Sequence, residues 1–283
     1  MIHELKKFRN GIMKPPKITL RSPQFDDSKI ELSPEISHLN QPFNGTIGSS
    51  KGDEYQVNKN IIELLGEDVP STTIAQSSNF LSLTADAYED YWRNYSIKLI
   101  SGEEFSIEDE KLRISEWFQP KDGESYLDLG CSTALYARKV AKDAPKSSVV
   151  ALDFSMAMLK KAREKALEEQ TDLYLLQANA ENLPFFSSTF DGITIGGTLN
   201  EFGDPVKALY EARRVLKSSG RMFVMYLLKA DTIFGGAIQK VTGIGGIHFW
   251  NKSESEQLFE RTGFKIEKSL KLGVVQFCLL KPV

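Results

Sequence analysis

The sequence predicts an α/β protein built on a doubly wound, mostly parallel sheet. Three observations lead there. From about residue 123 onward, short apolar runs of strand length alternate with stretches of helical period. The first run, Tyr126-Leu127-Asp128-Leu129, ends in a tight turn of small residues, Gly130-Cys131-Ser132-Thr133-Ala134. The second, Val149-Val150-Ala151-Leu152, ends on Asp153, and a helical pattern opens at once with Phe154-Ser155-Met156.

Each element has a local reason. Small side chains in the first turn let backbone N–H groups approach a ligand, and a helix starting near Thr133 aims its positive end into the same crevice. An acid closing the second strand is placed to accept hydrogen bonds from ribose hydroxyls. A third strand over 173–177 leads into Ala178-Asn179-Ala180-Glu181-Asn182-Leu183-Pro184-Phe185, and a fourth spans 189–195. Asp204-Pro205 caps a helix through Ala208, Leu209, Ala212, Val215 and Leu216, which ends at Lys217-Ser218-Ser219-Gly220 before a strand over 221–228. A helix over 253–262 and a strand over 273–280 complete the pattern.

These blocks, in this order, resemble the class I S-adenosylmethionine-dependent methyltransferases, and within them the small-molecule branch that includes the quinone-biosynthesis methyltransferases. The resemblance covers about 123–283. It implies S-adenosyl-L-methionine as cofactor and seven strands in the order 3-2-1-4-5-7-6, the last one antiparallel. Residue by residue, it implies that Asp128 and Gly130 hold the methionine end of the cofactor and that Asp153 holds the ribose. Phe154 and Met158 then lie beside the adenine, Asn179 and Ala180 read its amino group and ring edge, and Gly196 lines the methyl-transfer mouth. The chain departs from the family's Gly-x-Gly-x-Gly loop at Ser132 and Ala134, and from its Asp-Ala pair at Asn179. That asparagine must turn its amide oxygen toward the adenine amino group.

Composition narrows the function. At 283 residues and 41% hydrophobic, the chain can bury one large α/β core plus a small appendage. A net charge of -3 offers no electrostatic reason to expect nucleic acid as a partner. The basic cluster Arg138-Lys139, Lys142, Lys146 and Lys160-Lys161 is interspersed with acids and reads as a solvated helix face. Two isolated cysteines, Cys131 and Cys278, form neither a disulfide framework nor a metal site and suit a reducing compartment. No apolar run approaches the roughly 20 residues that span a bilayer, so the expectation is a cytoplasmic protein without stable membrane insertion. A homo-oligomer is left open.

Two domains are expected. Residues 1–70 form an N-terminal appendage rich in proline, serine and asparagine; 71–283 form the methyltransferase domain. The appendage resembles the small zinc ribbons that precede some methyltransferase domains, but Ser22, Phe25, Gly48 and Lys51 stand near the places of the paired cysteines. It is therefore either a ribbon without metal, surviving as small packed strands, or an irregular arm. Residues 72–118 read as helices, with Ser106 before Glu108-Asp109-Glu110 as a helix start. The resemblance makes these helices a lid, in which Tyr91, Trp92, Arg93 and Tyr95 either touch ligand or belong to the core. The insert over 230–250, with five glycines among apolar residues, is either a cap on an apolar acceptor pocket or a surface helix and loop.

The expected reaction is in-line methyl transfer to a small, apolar or lipid-like acceptor. It asks the protein mainly to align the reactants and exclude water. For a phenol, enol or carbon acid a general base helps, and His248 and Glu201 are the candidates. The fourth strand lacks the Asn-Pro-Pro or Asp-Pro-Pro motif of nucleobase amine methylation, and the chain has no Pro-Cys nucleophile. Two other readings stay open: an NAD(P)-dependent oxidoreductase, although Ser132 and Leu135 occupy its glycine positions, and a non-catalytic scaffold that keeps the methyltransferase fold.

Overall fold

The computed structural model describes residues 17–23, 27–65, 106–231, Gly236, Gln239 and 246–283. Tyr91, Trp92, Arg93 and Tyr95, most of the 230–250 insert and the boundary near residue 70 lie outside the described residues.

Strands β1 (Thr19–Arg21) and β2 (Lys29–Glu31) form an antiparallel pair. Strands β3 (Gly45–Gly48), β4 (Glu54–Asn58) and β5 (Ile61–Glu63) follow as a meander. Helix α1 (Ile107–Arg113) starts at Ser106, whose hydroxyl accepts the Asp109 N–H at 3.1 Å while Asp109 accepts the Ser106 N–H at 3.2 Å. Then strands and helices alternate: β6 (Ser125–Leu129), α2 (Leu135–Asp143), β7 (Ser148–Asp153), α3 (Met156–Glu168), β8 (Tyr174–Gln177), β9 (Phe190–Gly196), α4 (Pro205–Val215), β10 (Leu216–Leu227), α5 (Lys252–Arg261), β11 (Phe264–Leu272) and β12 (Val275–Pro282). Local signals set the helix starts. Asp204 accepts the Lys207 N–H at 3.0 Å ahead of Pro205, and Ser155 accepts the Met158 N–H at 3.4 Å.

The main sheet has ten strands, in the order β11-β12-β10-β9-β6-β7-β8-β5-β4-β3, rather than the seven expected. The extra three come from the N-terminal segment. β5 runs parallel to β8, with Ile61 opposite Leu175 and Ile62 opposite Leu176, and β4 and β3 continue outward antiparallel. Adjacent Ile61 and Ile62 are both buried, so β5 packs on two faces and covers a backbone edge that β8 would otherwise expose. β12 is antiparallel to both of its neighbours.

Two apolar layers sandwich the sheet. On one face Leu127, Leu129, Val150, Leu176 and Ile193 pack with Leu209 of α4 and with Ile18, Leu20 and Ile30 of the N-terminal strands. On the other, Ala151, Leu175 and Phe223 pack with Ala137 and Val140 of α2 and Leu159 and Ala162 of α3. The described N-terminal residues thus supply one strand pair packed on the sheet and three strands that extend it, with hydrogen bonds among Ser22, Ser49, Asp53 and Tyr55. Ser22 Oγ lies 2.7 Å from the Tyr55 hydroxyl and 3.1 Å from Asp53 Oδ2, and Ser49 Oγ donates to the same oxygen at 3.0 Å. Among the described residues there is no cluster of metal-ligating side chains, and no helix is long and apolar enough to cross a membrane.

The basic cluster is not wholly a solvated face. Arg138 is 1% exposed and pairs with Glu169, which also meets Lys142 at 2.8 Å, whereas Lys139 pairs with Asp143 along the helix. Buried guanidinium needs such a partner.

Candidate cofactor and active site

β6 pairs with β7 on one side and β9 on the other, so the strand order reverses there and a crevice opens at the carboxyl ends. A cleft of about 70 Å³ lies at this point. The loop after β6 forms its floor. Gly130 has φ 67°, and a Cβ there would come within 2.4 Å of Thr198 Cγ2. Thr198 Oγ1 in turn donates to the Gly130 carbonyl at 2.6 Å. Ser132 (φ 51°) and Ala134 (φ 61°) keep the left-handed backbone of the glycines they replace.

Asp128 lies beneath this loop and does not line the cleft. Its Oδ1 accepts from Thr194 Oγ1 at 2.8 Å and its Oδ2 from the Ala137 N–H at 3.0 Å, tying β6 to β9 and to the first turn of α2. Asp153 does line the cleft and is 7% exposed. Its Oδ2 accepts the Ser132 N–H at 2.8 Å and its Oδ1 the Ser155 N–H at 2.9 Å. Burial pushes its carboxyl pKa up, against the opposing backbone N–H bonds from Ser155, Ser132 and Phe154.

Phe154 and Met158 form one wall, with Gln177 Nε2 donating to the Phe154 carbonyl at 3.0 Å. Asn179, Ala180 and Glu181 form another. The Asn179 amide oxygen is turned to the Glu181 N–H at 2.9 Å, so any ligand donor it meets is its second. Gly196 leaves room at the mouth, and a Cβ on it would press within 3.0 Å of the Tyr136 ring.

The cleft thus gathers Gly130, Ser132, Asp153, Phe154, Met158, Asn179, Ala180, Gly196 and Glu201 from separate strand ends. His248 is not in its lining. The ring is half exposed, packs edge-on against Trp250 at 4.3 Å, and has Nε2 3.2 Å from Glu254 Oε1. Cys131 is buried, and burial with the charges of Asp153 and Asp128 raises its thiol pKa well above the ordinary value, which favours the protonated thiol. Sequence reading missed Thr198, Phe202 and Glu181 as lining residues. Glu181 stood in a block already singled out, but Thr198 and Phe202 follow the fourth strand without any special residue type.

A pocket at the sheet's switch point, with a glycine-bearing loop and a buried acid on the next strand, is the arrangement of a nucleotide-binding α/β cleft. The comparisons agree with this geometry. Residues 98–234 match the model of the ubiE/COQ5 methyltransferase family. The demethylmenaquinone methyltransferase of Staphylococcus carnosus is 39% identical over 178 residues, covering 55% of this chain and 73% of that protein. That of Thermotoga maritima is 37% identical over 122 residues, covering 43% and 52%. An uncharacterised chloroplastic methyltransferase of Arabidopsis thaliana is 32% identical over 144 residues, covering 49% and 40%. The chain therefore belongs to the ubiE/COQ5 methyltransferase family, although it spans only about half the length of several relatives it matches.

The fold is shared more widely. An S-adenosylmethionine-dependent methyltransferase from Aquifex aeolicus matches with TM-score 0.56 at 20% identity, covering 71% of this chain and 98% of that one. The cyclase SpnF matches with TM-score 0.59 at 17% identity, covering 76% and 98%.

Proposed function

We propose that the protein transfers a methyl group from S-adenosylmethionine to a small, apolar, quinol-like acceptor. The observation that carries this reading is Asp153, a buried carboxylate held by two loop N–H groups and facing the cleft. The names of the Staphylococcus and Thermotoga relatives support the acceptor class.

In this reading Asp153 takes the ribose hydroxyls, and Phe154, Met158 and Ala180 enclose the adenine beside Asn179. Asp128 acts from below by fixing Gly130 and the start of α2 through its bonds to Thr194 and Ala137. Gly196 lines the cleft and leaves room for the Tyr136 ring behind it. Bound S-adenosylmethionine supplies a methyl group activated by a sulfonium, ready for in-line displacement.

Activation of the acceptor then falls to the chain. Removing the proton of a phenolic hydroxyl makes the oxygen or the adjacent ring carbon nucleophilic, and this needs a base within hydrogen-bond reach. Glu201 lines the cleft, which favours it over His248, whose Nε2 is engaged with Glu254. Exclusion of water and a soluble, nucleic-acid-free working environment belong to the same proposal.

Calorimetric titration with S-adenosylmethionine and S-adenosylhomocysteine tests the cofactor site, with Asp153→Ala as control. Micromolar binding lost in the variant is expected, and folded protein that binds neither compound overturns the reading. With a demethylated naphthoquinol as acceptor, Glu201→Gln should then depress kcat more than His248→Ala.

A further inference from the structure

We infer that Arg21, carried by the N-terminal strand pair, is a positioning residue for the cofactor cleft. It holds the loop after β8 whose first residues form the cleft wall. The inference rests on the reading that this cleft binds S-adenosylmethionine.

The loop runs from Ala178 to about Thr189 and has no strand of its own. Asn179, Ala180 and Glu181 line the cleft, so the backbone that follows must be anchored from outside. Arg21 supplies one anchor through three bonds: its N–H donates to the Pro184 carbonyl at 3.0 Å, and its Nη2 donates to Asn182 Oδ1 at 3.2 Å and to the Leu183 carbonyl at 3.1 Å. The neighbouring Leu20 forms a single β-bridge with Phe185, and both side chains are fully buried.

A second anchor comes from α4. Arg214 Nη2 donates to the Leu183 carbonyl at 3.0 Å, its Nη1 to the Phe185 carbonyl at 2.7 Å, and Glu211 Oε2 accepts the Leu183 N–H at 2.7 Å. The Leu183 carbonyl therefore receives both guanidinium groups. Burial opposes ionisation of Glu211, but Arg214, the Leu183 N–H and the Arg21 charge outweigh it and hold its carboxyl below the ordinary value. Helix α4 belongs to the βαβ framework, whereas Arg21 does not. Its strand is locked by the next residue, Ser22, through Tyr55 and Asp53, and β4 connects that cluster through β5 to β8, the strand that begins the loop. The circuit closes: the appendage grips both ends of the segment that carries the cleft wall.

The test uses the full chain. Wild-type protein is first titrated with S-adenosylhomocysteine, then Arg21→Ala, and amide hydrogen exchange is followed in both without ligand. The expected result is a Kd raised about tenfold in the variant, with exchange accelerated over 180–185 and unchanged in β6 and β7. Arg21→Gln, which retains packing and a single donor, carries the test if the alanine variant does not fold, and should weaken binding severalfold. Unchanged affinity overturns the inference while leaving the cofactor reading intact. Acceleration spread evenly over the sheet also overturns it, because a purely structural residue behaves that way. Wild-type protein that binds no S-adenosylhomocysteine overturns the cofactor reading, and the inference with it.

Discussion

Asn200 grips His248 by both of its main-chain polar groups. The Asn200 carbonyl accepts the His248 N–H at 2.7 Å, and Asn200 Nδ2 donates to the His248 carbonyl at 2.6 Å. The same side chain brackets Leu227 at the end of β10, donating to its carbonyl at 2.9 Å and accepting its N–H at 2.8 Å. One buried amide thus joins the turn after β9, the end of β10 and the segment leading to α5.

Replacing Asn200 with alanine strands the Leu227 N–H and removes the donor to the His248 carbonyl, while the Leu227 carbonyl keeps the Trp250 N–H at 3.2 Å. We expect a loss of about 2–4 kcal/mol, read from the urea midpoint at unchanged m. Asn200→Asp should fare no better, because a carboxylate cannot donate to the two carbonyls. An aspartate variant as stable as wild type would mean that the donor half of the amide is dispensable.

Gly130→Ala meets two obstacles at once, a left-handed φ of 67° and a side chain 2.4 Å from where its Cβ would stand. The variant should lose about 2–3 kcal/mol of stability and bind S-adenosylhomocysteine more than tenfold less tightly. Melting and calorimetry on the same sample check both.

Ser132 presents the opposite case. At φ 51° it carries strain that glycine would relieve, and its hydroxyl makes a long 3.5 Å contact with Met158 Sδ. Ser132→Gly should raise stability by about 0.5–1 kcal/mol, after the entropy cost of the added glycine. A lower urea midpoint would show that the hydroxyl contact outweighs the strain.

The acidic groups divide by sign. Burial raises the Asp153 pKa from 3.8, so the native state holds that proton more tightly than the unfolded chain, and the associated stability is lost as pH rises. Partial burial also opposes ionisation of Glu211 and Glu169, but Arg214 and Lys142 respectively hold them below 4.5. Their stabilisation is present above that value and fades as pH falls through their native pKa values. Ribose hydroxyls favour the ionised Asp153, so affinity for S-adenosylhomocysteine should decline on acidification before the fold does. Titrations and circular dichroism across the same pH series should separate the two transitions, and coincident transitions would contradict the assignment.

Much of the cleft was legible because it is written locally. Gly130, Asp153 and Asn179 each stand at the end of an apolar run, and a strand followed by a helix carries such a residue to the sheet's carboxyl edge whatever surrounds it. Phe154, Met158 and Ala180 are expected there only through the family resemblance. Asp128 was read correctly as a residue of the first strand end, but alternation along a strand sends neighbouring side chains to opposite faces, and whether an acid meets ligand or loop depends on what covers it. Here Thr194 and Ala137 do. His248 is a candidate base by its type and by its place after the glycine-rich insert, and neither gives its distance from the cleft.

The sequence by itself determined the alternation of strands and helices and the helix starts at Ser106 and Asp204, since each depends on residues within a few positions of one another. The tertiary structure alone decided that residues 45–63 extend the sheet, that Arg138 is buried against Glu169, and that Arg21 clamps Leu183, 162 residues away. Such pairings are settled by which surfaces must be covered once the core has closed. No local pattern of charge or period encodes the partner.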